Sequence, residues 1–150
     1  MINSKLRDFI DKAYDDRAIT EWDVRSLLRH VLPDGIANRE EANALIAIDR
    51  LVEKPCNAWG DVLIALLVDY VVWAERPTGV VRGDDAYWLV SSLGAAGGPT
   101  RTALRAAHEI VREAQEVDDV LLNFILSSQR LYGEEETVVE LPIRRSAEAA

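Results

Sequence analysis

The chain has 150 residues, is 49% hydrophobic and 29% charged, and carries a net charge of −9 with a pI near 4.7. That length supports one domain with a real core, and the acidic balance argues against nucleic acid or anionic lipid as partners. The single cysteine, Cys56, excludes an intrachain disulfide and fits a reducing cytoplasm.

The opening residues, MINSKLRDFI, lack a long apolar run and a small-residue cleavage motif, so they do not read as a signal peptide. From Ser4, a possible cap, Leu6, Phe9, Ile10 and Ala13 recur at helical spacing through residue 14. Thr20 with Asp23 then makes a capping-box-like start, Asp standing in for Glu. Val24, Leu27, Leu28, Val31 and Leu32 form one apolar stripe, which Pro33 and Gly35 end. Asn38 with Glu41 starts the next helix by the same logic, and Ala42, Leu45, Ile46, Ile48, Leu51 and Val52 carry it to about Lys54.

Asn57 is positioned to cap the most apolar stretch, residues 58–75. Its length falls short of the roughly 20 apolar residues of a span, and Asp61, Ala65, Asp69 and Glu75 share one narrow side. This predicts a core helix with a thin wet stripe. After Pro77, helical pattern resumes over Asp84–Leu93. GAAGGP breaks it, Pro99 suits a first helical turn, and Ala103, Leu104, Ala107, Ile110 and Val111 follow. A last helix runs near Val117–Leu131. No strand is expected within the body. Beyond Gly133 the charge runs and lost periodicity predict a flexible acidic tail over 133–150.

Shifting the chain by about 62 residues aligns Asp23 with Asp85, Leu27 with Leu89, Gly35 with Gly97 and Ile48 with Ile110. Helix starts, breaks and apolar positions align too, which predicts an internal duplication. The expected fold is all-α: a compact bundle of about seven helices in one domain, 1–132, built from two similar three-helix halves (about 16–75 and 78–132).

LPDGIANREEANAL also resembles the second half of a calcium loop. With Gly35 at position 6, Asp34 and Glu41 fall at positions 5 and 12, but positions 1 and 3 are His30 and Leu32. An orthodox EF-hand site is therefore not expected. A looser site remains, with Asp34, Glu40 and Glu41 near one helix start and Asp84 and Asp85 near another. Acidic residues in a first turn are also favoured by the helix dipole alone.

PDGIANREEANAL, followed by PTGVVRGDDAYWL, resembles the tellurite-resistance TerB-like family over roughly residues 15–130. The resemblance implies an all-helical bacterial cytoplasmic stress-response protein with no known enzymatic activity, for which metal binding has been suggested. By position it implies Asp34, Glu40, Glu41, Asp84 and Asp85 as metal candidates. Thr78-Gly79 and Gly97-Gly98 stand where a further Asp-Gly pair would.

There is no phosphate-binding loop, no H-E-x-x-H and no C-x-x-C, and His30 and His108 have no evident partner. No catalytic residue and no organic cofactor is expected. The leading expectation is a non-enzymatic TerB-like protein that binds a divalent cation such as Ca²⁺ or Mg²⁺. The alternative is a metal-free protein-interaction module using exposed aromatics or the acidic face, with an uncharacterised enzyme third. A protein partner or homo-oligomer fits; nucleic acid and a membrane span do not.

Overall fold

The computed structural model describes residues 2–129. The expected tail, 133–150, and the end of the last expected helix lie outside these residues. Seven α-helices dominate: α1 (Ser4–Asp16), α2 (Glu21–Ser26), α3 (Arg39–Leu51), α4 (Asn57–Val68), α5 (Asp84–Leu93), α6 (Arg101–Glu113) and α7 (Asp119–Gln129). Two π-helical segments, Leu27–Val31 and Asp69–Ala74, continue α2 and α4. Four two-residue strands, which the sequence reading did not anticipate, complete the set: β1 (Ala18–Ile19), β2 (Lys54–Pro55), β3 (Val80–Val81) and β4 (Glu116–Val117). The chain divides into two compact units, Met1–Tyr70 and one that starts at Val71.

In the first unit, Asn3, not Ser4, caps α1, its side chain accepting the Leu6 N–H at 2.7 Å. Leu6, Phe9 and Ala13 then bury one face. Arg17, in the left-handed region at φ 54°, ends the helix. Its carbonyl accepts from the N–H groups of Glu53 and Lys54, and the Ile19 carbonyl accepts from Cys56, so β1 and β2 pair in parallel. The capping box at α2 forms in both directions: Thr20 Oγ1 accepts from Asp23 N–H at 3.1 Å, and the Asp23 carboxylate accepts from Thr20 N–H at 2.9 Å.

The π-helical segment then changes which residues face inward. Leu32 N–H donates to the Leu27 carbonyl five residues back, which winds the chain more widely than an α-turn. Leu27 and Leu32 are buried, while Leu28 is turned outward. The stripe expected from α-helical spacing is therefore broken at Leu28.

Gly35, at φ 84°, reverses the chain. Asn38 caps α3 through the Glu41 N–H. At α4 the expected cap moves by one residue: Cys56 holds the N-cap position with no side-chain cap bond, and Asn57 lies inside the helix. The core gathers Leu6, Leu27, Leu45, Ile48, Trp59 and Leu63. Full burial of each such side chain is worth about 1.5–3 kcal/mol. Trp59 Nε1–H donates to Asp49 at 2.9 Å, so the largest core side chain keeps its polar edge satisfied.

The second unit repeats the device. The carbonyl of Gly79 (φ 79°) accepts from Gln115 and Glu116, and that of Val81 accepts from Asp118. β3 and β4 thereby pair in parallel, Val80 with Glu116 and Val81 with Val117. Each of these residues lies 62 positions after its counterpart among Ala18, Lys54, Ile19 and Pro55. α6 likewise starts and ends 62 positions after α3, and Thr100 caps it as Asn38 caps α3. Val81, Leu89, Leu93, Ile110, Leu121 and Ile125 form this unit's core.

Residues Asn57–Ala74 are long and apolar enough to cross a bilayer, but half of that stretch is buried inside the chain. Asp61, Ala65 and Asp69 lie on its exposed side, as expected for a core helix with a wet stripe, and Trp73 joins them rather than the core.

Candidate functional site

The acidic residues singled out by sequence have different roles. Glu41 is 3% exposed and already occupied. One carboxylate oxygen accepts from the Ala37 N–H at 2.8 Å and the other from Asn3 Nδ2 at 3.3 Å, while its own N–H is held by Asn38. It ties the entry of α3 to the cap of α1. Asp34 and Glu40 are exposed beside it. Asp84 and Asp85 begin α5 in the second unit, Asp84 exposed and Asp85 half-buried. Among the described residues, no three His, Cys, Asp or Glu side chains come together as a metal-holding group.

A different surface emerges on α2 and the π-helical segment after it. Trp22, Arg25, Ser26, Arg29 and His30 surround an open hollow of about 170 Å³. Their spacing is i, i+3, i+4, i+7, i+8, the signature of one helical face. Val24 and Leu27 hold the opposite face in the core, and the capping box fixes the start of α2, so the surface stands on rigid backbone. Trp22 is 69% exposed, the most exposed of the chain's large hydrophobic residues among those described. The side chains of Arg25, Arg29 and His30 make no hydrogen bond or ion pair with a described residue. That is unusual company on a chain with 26 acidic and 17 basic residues. The signal was present in the sequence, as a Trp, two Arg and a His on one helical stripe of an acidic protein.

Asp23, Lys12 and His108 have perturbed titration. Burial pushes the Asp23 carboxyl upward, but hydrogen bonds from Thr20 and from Lys12, whose Nζ lies 3.1 Å away, outweigh it and hold the carboxyl below its ordinary value. Lys12 is raised by the same contact and by Asp16. These charges staple α1 to the start of α2. His108 is 6% exposed, and its Nε2 has no hydrogen-bond partner among the described residues. Burial pushes its pKa down, with Arg112 adding to the shift and Glu109 opposing it. It sits on the buried face of α6 with Leu104, Ala107 and Ile110, as a core histidine does.

Comparison with protein-family models, with curated proteins and with solved structures returned no match.

Proposed function

We propose that this protein is a non-enzymatic binding domain that docks a protein partner on the surface around Trp22. The observation that carries the reading is an exposed tryptophan flanked by two arginines and a histidine without described partners, on an acidic chain. Trp and Arg are the residues that most often anchor interfaces, because each buries a large area and Arg also pairs bidentately with carboxylates. The hollow is smaller than the roughly 300–1,000 Å³ that encloses a small molecule, and it is open, which favours contact with a surface. We also propose TerB-like kinship, supported by the Asp34-Gly35 turn motif and the two related halves.

Divalent-cation binding has less support, because Glu41 is committed to holding α3 and α1. A fair test of that reading leaves Glu41 intact. Calorimetric titration with Ca²⁺, Mg²⁺, Zn²⁺ and Mn²⁺, compared with Asp34→Asn/Glu40→Gln, identifies a cation if heat appears in the parent and is lost in the variant. For the docking reading, the full chain and its Trp22→Ala/Arg29→Glu variant are used as bait side by side. A stoichiometric partner held by the parent and lost by the folded variant is the expected result. Partners retained equally by both would refute it.

A further inference from the structure

The two units carry opposite chemistry at corresponding positions. Counting 62 residues on from Trp22, Arg25, Ser26, Arg29 and His30 gives Asp84, Tyr87, Trp88, Ser91 and Ser92. The first set lies on α2 and the π-helical segment after it, the second on α5, each following the first strand of its unit. The first is cationic and aromatic. The second holds one carboxylate and two aromatics: Asp84 is exposed, Tyr87 is 59% exposed, and Trp88 is partly exposed. Asp118 reinforces the negative sign there, its carboxylate accepting the Gly83 N–H at 3.2 Å immediately before α5.

We infer that the occupant of the Trp22 surface is a second copy of this chain, which presents its Asp84–Tyr87 face to Arg25, Arg29 and Trp22. This rests on the docking reading above and names the partner. Guanidinium groups pair with the carboxylates, and the two aromatic side chains cover one another as the water leaves. The net charge of −9 per copy repels at long range, but at physiological salt the screening length is about 8 Å, so contact pairs outlast that repulsion. Because the two faces differ, removing one from one molecule and the other from a second leaves a complementary pair.

Sedimentation velocity of the full chain at physiological salt, from micromolar to millimolar concentration, tests this. The parent is expected to gain mass with concentration. Arg25→Glu/Arg29→Glu removes one face and Asp84→Lys/Tyr87→Arg removes the other; each variant, checked for folding by circular dichroism, is expected to remain monomeric. Mixing the two variants leaves one intact face on each molecule and is expected to restore association, stopping at a 1:1 pair. Trp22→Ala is expected to weaken association by about thirtyfold, as loss of an interface anchor does. A parent that stays monomeric at millimolar concentration overturns the second-copy inference. So do variants that associate as the parent does, or a mixture that stays monomeric. If the parent is monomeric yet holds a poly-glutamate peptide through Trp22 and Arg29, the second-copy inference falls and docking of an acidic segment stands.

Discussion

The two units share their strand pairing and the placement of α3 and α6, and differ in what hangs on that frame. Their parallel strand pairs use the same three main-chain hydrogen bonds 62 residues apart. Their side chains at corresponding positions diverge. Trp59 stands where the second unit has Leu121, and Asp49, which Trp59 bonds, where it has Val111. Glu41 corresponds to Ala103, Ile46 to His108, and Arg17 to Gly79. Main-chain bonds depend little on side-chain identity, so the frame persists while cores, caps and surfaces change. The difference on which the proposed docking rests is the one at exposed positions, Trp22, Arg25 and Arg29 on one unit and Asp84 and Tyr87 on the other.

The largest expected effect lies in the cores. Trp59→Ala removes a 1% exposed ring that packs near Phe9 with centroids 6.2 Å apart, and should cost about 3–5 kcal/mol in thermal or denaturant unfolding. Leu121→Ala, at the corresponding position, should cost less, within about 2–5 kcal/mol. The reverse order would contradict the view that the first unit is built around its tryptophan.

Glu41 comes next. Glu41→Ala leaves the Ala37 N–H and the Asn3 amide without their acceptor, and should lower stability by about 1–3 kcal/mol. The second unit manages with Ala103 at this position, so Ala103→Glu should gain nothing. If Glu41→Ala leaves the melting temperature unchanged but abolishes cation binding, Glu41 is a ligand and not a tie.

His108 sharpens the comparison through pH. Its folded pKa lies below the ordinary 6.5, so the unfolded chain takes up this proton first. The stability tied to the neutral ring is fully present above 6.5 and is lost as pH falls from there through the folded pKa. His108→Ile, which copies Ile46, should flatten that decline and add about 1 kcal/mol by removing a buried nitrogen that has no partner among the described residues. An unchanged pH profile in the variant would show that the decline has another source, such as the depressed carboxyl of Asp23, which acts only below its ordinary value of 3.8.

The smallest effects fall at the left-handed turns. Gly79→Ala sets a Cβ 3.3 Å from the Gln115 side chain at φ 79° and should cost about 1 kcal/mol. Arg17→Gly relieves the same backbone strain but gives up the guanidinium over Tyr14, so its net change should stay within about 0.5 kcal/mol.

Much of this frame was legible in the sequence, because caps and turn glycines act locally. Thr20 with Asp23, Asn38 with Glu41, and Gly35 with Gly97 placed helix starts and the 62-residue offset. The strand pairs were not legible, since two residues carry no alternation and the bonds run between segments far apart in the chain. The π-helical winding was not legible either, as nothing in LLRHV departs from α-helical composition, and Leu28 within it is exposed. Glu41 showed both of its meanings at once. A carboxylate at the third helical position is a capping signal and an apparent ligand, and only its contacts with Ala37 and Asn3 favour the first. The face proposed for docking stood in plain view as a stripe of Trp, Arg, Arg and His, but reading it depends on which side of α2 faces the core.

Hydroxyl-radical footprinting of the full chain below and above its association midpoint tests the docking surface most directly. Trp22 and Tyr87 should lose reactivity together as copies associate, while Tyr14 and Trp73, also exposed in the single chain, keep theirs. Trp22 remaining fully reactive in the associated state would contradict its role as the docking surface.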